Sequence, residues 1–202
     1  MGRSNSWYTL GMNIEFEATF PDISIDEFIS KLQNYGAKLI KPRTLYKRVT
    51  FNFPNHDPDK FQWVRVRDEG DVVTTTIKEF SGKGIEAQKE IELVIDSFDS
   101  GVAYLKKLGC QEKAYQETYR QIWELDNVHI MIDEWPYLEP FVEIEGSSEE
   151  EVAALSEKLG FNYEDALFGG VTDQYASKYN VSHERINDNT ARITFEDPNP
   201  FV

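Results

Sequence analysis

The sequence predicts an α+β fold in which about eight mostly antiparallel strands curl into a closed or nearly closed barrel, with helices flanking it and two quasi-equivalent halves. Three observations predict it. Two glutamates stand on one face of a strand in three separate stretches, Glu15/Glu17 in NIEFEATF, Glu90/Glu92 in QKEIELVI and Glu143/Glu145 in FVEIEG; side chains alternate along a strand, so each pair points the same way, a costly choice unless cations or water meet it. Bases repeat with the same period, Arg65 with Arg67 in WVRVRD, Lys78 in TTTIKEF and Arg120 in QETYRQIW. A unit of E-x-E strand, helix, glycine and Tyr-basic strand occurs twice, with Gly36 to Tyr46 matching Gly109 to Tyr119, each tyrosine followed by Lys47 or Arg120, and its first half occurs a third time. Strands of alternating charge that close on themselves leave a polar interior, a concavity suited to a polyanion and its metal ions.

The elements follow in order. Residues 1–11 precede the first strand and read as a detachable extension; residues 12–179 form the barrel domain; residues 180–202 form a tail with a short strand in ARITFED and a loose end. Ser24-Ile-Asp-Glu27 reads as a capping box opening a helix with Phe28, Leu32 and Tyr35 along one stripe and Gly36 at its stop. Ser148-Glu-Glu-Glu151 repeats the signal before Val152, Leu155 and Leu159, with Gly160 at the end. Val102, Leu105 and Leu108 before Gly109 mark a third helix with a weaker start. The strands YKRVTFNF, QWVRVRD and VVTTTIKEF fill the first half, and YRQIWEL, HIMIDEW and FVEIEG the second. Pro54 to Pro58 is a loop, and Asp68-Glu-Gly-Asp71 a hairpin turn.

Composition narrows the function classes. Hydrophobic content of 40% with 13% aromatics describes a folded globular chain, and 202 residues suffice for one large domain. A net charge of −15 excludes a broad nucleic-acid surface but not a local basic pocket. Cys110, the single cysteine, excludes an intrachain disulfide and a thiolate cage; this and the lack of a secretory signal or membrane-spanning run point to the cytoplasm. His56, His129 and His183 share no spacing, so zinc is not expected. No G-x-x-x-x-G-K-[ST] loop is present, and Trp63, Trp123 and Trp135 read as core. From spacing alone the paired carboxylates read either as solvent-facing charges of half-exposed strands or as a metal face, and the bases either as cross-strand partners or as phosphate ligands.

From about Met12 to Tyr179 the chain resembles the CYTH superfamily, the triphosphate tunnel metalloenzymes. The residues that carry the resemblance are IEFEATF, WVRVRD followed by TTTIKEF, KEIELVI, MIDEWPYLEPFVEIEG and VTDQYASKY. The resemblance implies Mg²⁺ or Mn²⁺ on a metal face of Glu15, Glu17, Asp133, Glu143 and Glu145. It implies phosphate contact by Arg65, Arg67, Lys78, Arg120, Lys47 and Lys178, catalysis through Lys78, Glu17 and Arg120, and support from Glu90 and Glu92. Family members usually carry a lysine two positions after the first E-x-E pair; here that position is Thr19, and Lys47 or Arg43 is the expected substitute. The implied activity is metal-dependent hydrolysis of tripolyphosphate, ATP or thiamine triphosphate by a monomer or homodimer, without nucleic acid or membrane. The alternatives are a class IV type adenylyl cyclase forming cyclic AMP and pyrophosphate, and a non-catalytic nucleotide or polyphosphate module, which Thr19 favours.

Overall fold

In the computed structural model the described residues are 13–55, 57, 61–80, 85 and 88–202; the expected extension 1–11, His56 and Pro58 lie outside them. Ten strands form one sheet: β1 (Asn13–Ile14), β2 (Phe16–Phe20), β3 (Lys38–Asn52), β4 (Phe61–Asp68), β5 (Val73–Phe80), β6 (Gln88–Ile95), β7 (Gln111–Leu125), β8 (Val128–Glu134), β9 (Phe141–Gly146) and β10 (Arg192–Ile193). The order is β1-β6-β5-β4-β3-β7-β8-β9-β2, and β10 runs parallel to β7 at Tyr115 and Gln116. Every other pairing is antiparallel. Because β1 pairs with one edge of the strand order and β2 with the other, and only Glu15 separates them, the first strand joins the two edges of a strongly curled sheet. The expected halves are the strands on either side of the long β3–β7 pairing.

Alternation sorts the strands' side chains into two populations. Ala18, Phe20, Ile130, Ile132, Val142 and Ile144 face outward under α1 (Ile25–Asn34) and α3 (Glu149–Lys158), where they pack with Phe28, Leu32, Val152, Leu155 and Leu159. Val49, Phe51, Val64 and Val66 face outward under α2 (Phe98–Lys107), which comes close because Gly101 has no side chain: a Cβ there would stand 2.5 Å from the Ile95 methyl. Burying a valine- or leucine-sized group is worth roughly 1.5–3 kcal/mol, so the helices hold the wall from outside and leave the inner face to polar residues.

The caps differ in part from expectation. Ser148 accepts the Glu151 amide at 3.3 Å while the Glu151 carboxylate turns back to Ser147, a box displaced by one residue. Ser97 caps α2 by accepting from Ser100 at 3.2 Å, a start that the sequence analysis did not place. Ser24 makes no side-chain cap bond, and Tyr35 and Leu108 are exposed at helix ends rather than inward. The 68–71 hairpin forms as read; Gly70 takes φ +92°, and its amide donates to Asp68 at 2.9 Å.

The tail has no loose end. After α4 (Thr172–Tyr179) and α5 (His183–Asn187), β10 joins β7 beyond the reach of β8, and Ile186, Ile193 and Phe201 close on Trp135, Phe141 and Tyr175. Tyr175 donates its hydroxyl to the Pro136 carbonyl at 2.7 Å, and Tyr137 donates to that of Thr194 at 2.8 Å. Phe141 shares a face with Glu143 and Glu145, so this third core sits on the inner side of the sheet and blocks part of the barrel.

Candidate functional site

A cavity of about 520 Å³ opens along the inner face. Cross-strand register builds one wall in rows. Arg48 of β3 lies opposite Arg67 of β4, Thr50 opposite Arg65, and Lys78 of β5 opposite both Trp63 and Glu90. The facing wall comes from β2 and β9, where Glu17 lies opposite Glu145 and Thr19 opposite Glu143. Cations therefore collect on β3, β4, β5 and β7, and carboxylates on β2, β6 and β9.

Most of the expected site residues meet here: Glu15, Glu17, Arg65, Arg67, Lys78, Glu90, Glu92, Arg120, Glu143 and Glu145 all line the cavity. Lys78 donates to Glu15 at 2.7 Å and approaches Glu90 at 3.4 Å. Glu92 accepts from Thr76 at 2.8 Å and stands 3.9 Å from Arg65 and 3.7 Å from Arg67. Asp133 is fully buried behind Arg120, both oxygens committed to that guanidinium at 2.7 and 2.5 Å, while Arg120 also bonds Glu143. Asp133 thus positions Arg120 and is not on the cavity wall.

Three of the expected bases are not brought in. Lys47 is exposed on the outer face, Lys178 pairs with Glu139 at 2.7 Å, and Arg43 pairs with Glu134 at 2.6 Å while stacking 3.5 Å over Tyr119. The inner position belongs to Arg48, which the sequence reading missed by one residue. Thr44, not Lys47, lies opposite Arg120, and the pairing then runs without a shift to Thr50/Ala114, so Tyr46 and Arg48 share the inner face with Arg120 and Lys47 turns away. Arg48 is 7% exposed, stacks at 4.6 Å on Trp135 and donates to Thr118 at 2.7 Å. Among the described residues no carboxylate pairs with it, and its Nε has no partner, nor has that of Arg65. Glu69 was also unforeseen; it accepts from Arg67 at 2.8 Å. Thr19 is 3% exposed and off the cavity wall, its amide and carbonyl bonded to Leu167. Trp123 is core as expected, whereas Trp63 and Trp135 also line the cavity.

The electrostatics follow from enclosure and like charge. Burial, then the neighbouring Glu15 and Glu145, push the Glu17 carboxyl up to about 7 against the pull of Lys78. Burial and Glu17 hold Glu143 well above the carboxylate range, and burial raises Glu90. Burial and Arg67 bring Arg65 down to about 10, and burial with Arg65 and Arg67 takes Arg48 well below its usual value. Arg120 goes the other way: burial opposes its charge, but Asp133 and Glu143 hold it well above. Each wall is short of counter-charge, one in cation and the other in anion. Among the described residues no three acidic, histidine or cysteine side chains converge on a metal position as they stand. The hard oxygens of Glu15, Glu17, Glu143 and Glu145 nevertheless fit Mg²⁺ or Mn²⁺ by chemistry. No described helix is long and apolar enough to cross a membrane.

Comparison with known proteins agrees with this architecture. The family model describing the CYTH domain matches residues 13–170. No curated protein matches. Among solved structures, a candidate adenylate cyclase from Vibrio parahaemolyticus superposes with a TM-score of 0.69 at 15% identity, covering 80% of this chain and 97% of that one. The PH1012 protein of Pyrococcus horikoshii gives 0.64 at 23% identity, covering 76% and 94%. A candidate adenylyl cyclase from Hippeastrum, with a dominant triphosphatase activity, gives 0.54 at 13% identity, covering 84% and 97%.

Proposed function

The chain belongs to the CYTH family, and from that premise we propose that it hydrolyses a triphosphate within its tunnel, with a divalent cation as cofactor. The observation that carries the proposal is the division of one 520 Å³ cavity into an arginine wall and a glutamate wall, each under-neutralised by the other. A triphosphate and its metal ion supply the two missing charges.

Arg48, Arg65 and Arg67 project from two adjacent strands, so their guanidinium forks bind successive phosphate oxygens and fix the chain along the wall. Arg120, aimed by Asp133, and Lys78 stand between the walls, paired with Glu143 and Glu15. When substrate enters, phosphate oxygens take over these cations and free the two glutamates. Glu15, Glu17, Glu143 and Glu145 would hold the cation, which when bound lowers the pKa of water and offsets charge on the phosphorus being attacked. Preorganised cations in an enclosed site contribute most where charge develops, and that is the role of Arg120 and Lys78.

The experiment is orthophosphate release from tripolyphosphate, with Mg²⁺ and with Mn²⁺, run beside ATP with detection of cyclic AMP. Release that stops when the metal is chelated is the expected result. Cyclic AMP with pyrophosphate would replace hydrolysis by cyclisation, and tight tripolyphosphate binding without product would reduce the chain to a polyphosphate-binding module.

A further inference from the structure

Residues 169–188 form a strap across one mouth of the tunnel. At one end Gly169 shares a cleft with Glu15, Glu17, Phe80 and Gln88, and at the other Asp188 stands 3.6 Å from Lys113 of β7. Thr172 and Asn187 are tied at 3.0 Å, and the core of Tyr175, Ile186, Ile193 and Phe201 fastens the strap to the inner face. The strap presents Asp173, Glu184 and Asp188 to the cavity, with His183 at 3.1 Å from Asp173. Even with Lys113 counted, this collar is net negative when His183 is neutral. Deeper in the same cavity Arg48 and Arg65, 7% and 9% exposed, each keep an unpartnered Nε. Buried guanidinium donors without partners mark where an anion is held, and the collar marks where it must stop.

We propose that the strap is a charge gate that sets the length and polarity of the substrate: a short triphosphate lies wholly on the arginine wall, and whatever projects into the strapped mouth is uncharged or cationic. A polyphosphate chain long enough to run out through that mouth meets three carboxylates and is disfavoured. The inference rests on the triphosphate reading above and narrows it to substrates whose anionic part ends inside the tunnel. The collar carboxylates are exposed, so their repulsion acts through water and is screened by salt.

The test compares equilibrium binding of inorganic tripolyphosphate and long-chain polyphosphate in chelator, at low and high salt, for the native chain and the triple substitution Asp173→Asn, Glu184→Gln and Asp188→Asn. At low ionic strength the substitutions should move the affinity ratio toward the long chain by about tenfold, a gain that fades toward molar salt as exposed charges are screened. If the triple variant melts below the native temperature, Glu184→Gln alone is measured, and a smaller shift of the same sign is expected. An unchanged ratio, or one insensitive to salt, overturns the gate while leaving the triphosphate site standing. Failure of the native chain to bind either polyphosphate overturns both.

Discussion

At the scale of single residues, Arg48 is the side chain with most at stake. Its guanidinium is buried on Trp135 with, among the described residues, one hydrogen bond to protein and no paired carboxylate. Leaving a buried charge poorly satisfied costs on the order of 1–3 kcal/mol, which the fold bears unless a ligand repays it. Arg48→Gln should therefore raise the melting temperature or leave it unchanged, while weakening tripolyphosphate affinity by about tenfold or more, the opposite signs expected if the residue serves a ligand. Calorimetry and titration on one sample decide it, and lowered stability with intact affinity would make Arg48 structural. Glu17 gives a second test. Its folded pKa of about 7 lies above the 4.5 of an unperturbed glutamate, so between these values the folded state holds more protons than the unfolded one. Stability from this group is present below the unfolded value and is lost as pH rises through the folded one. Without divalent cation, melting scans from about pH 5 to 8 should fall more steeply in the native chain than in Glu17→Gln, where only Glu143 and Glu90 remain raised. A parallel pair of pH profiles would remove the assignment. Thr19 closes off one route: since it is covered by the Leu167 segment, Thr19→Lys should lower stability by about 2 kcal/mol or more by burying an ammonium, with no gain in triphosphate affinity.

Among the elements, β3 and β4 show how much the sequence could tell. WVRVRD has no irregularity along its eight-residue pairing with β5, so period-two reading placed Arg65 and Arg67 on the inner face, and the same holds for the three E-x-E pairs. In β3 the residue opposite Arg120 is Thr44 and the pairing is unbroken from there to Thr50, so Thr44, Tyr46 and Arg48 share its face, and the apparent match of Lys47 to Arg120 put the base on the wrong side by one position. Nothing local in KPRTLYKRV announces which of its two alternating faces turns inward, since that is set by the pairing with β7. Asp133 was legible as an acid but not as the anchor of Arg120, because that depends on which cross-strand neighbour reaches it first. Asp133→Asn should accordingly weaken the hold on Arg120 and lower kcat for tripolyphosphate more than it raises the metal requirement. A loss repaired wholly by excess metal would return Asp133 to the metal face.

For the molecule as a whole, the family-defined segment ends at residue 170, yet the fold does not. Trp135, Phe141 and Tyr175 depend on Ile186, Ile193 and Phe201 for cover. A chain ending at Asn180 loses three buried side chains worth roughly 1.5–3 kcal/mol each, a large share of a domain's net stability. It should melt well below the full chain and bind a dye specific for exposed apolar surface. Unchanged melting would show that residues 181–202 are an ornament. The tail's role escaped sequence reading because its apolar residues are sparse and find their partners only across the inner face.

Among the described residues, the strand that joins the ring's edges pairs with β9 at five positions and with β6 at two, with Glu15 standing at the handover. The Glu15 amide donates to the Gln88 carbonyl at 3.1 Å, while its carboxylate holds Lys78 and the Gln88 side chain. Backbone and side chain of one residue thus fasten different things, the first the two margins of the sheet and the second a corner of the charged interior. Where the ring is stitched shut is also where its charge begins.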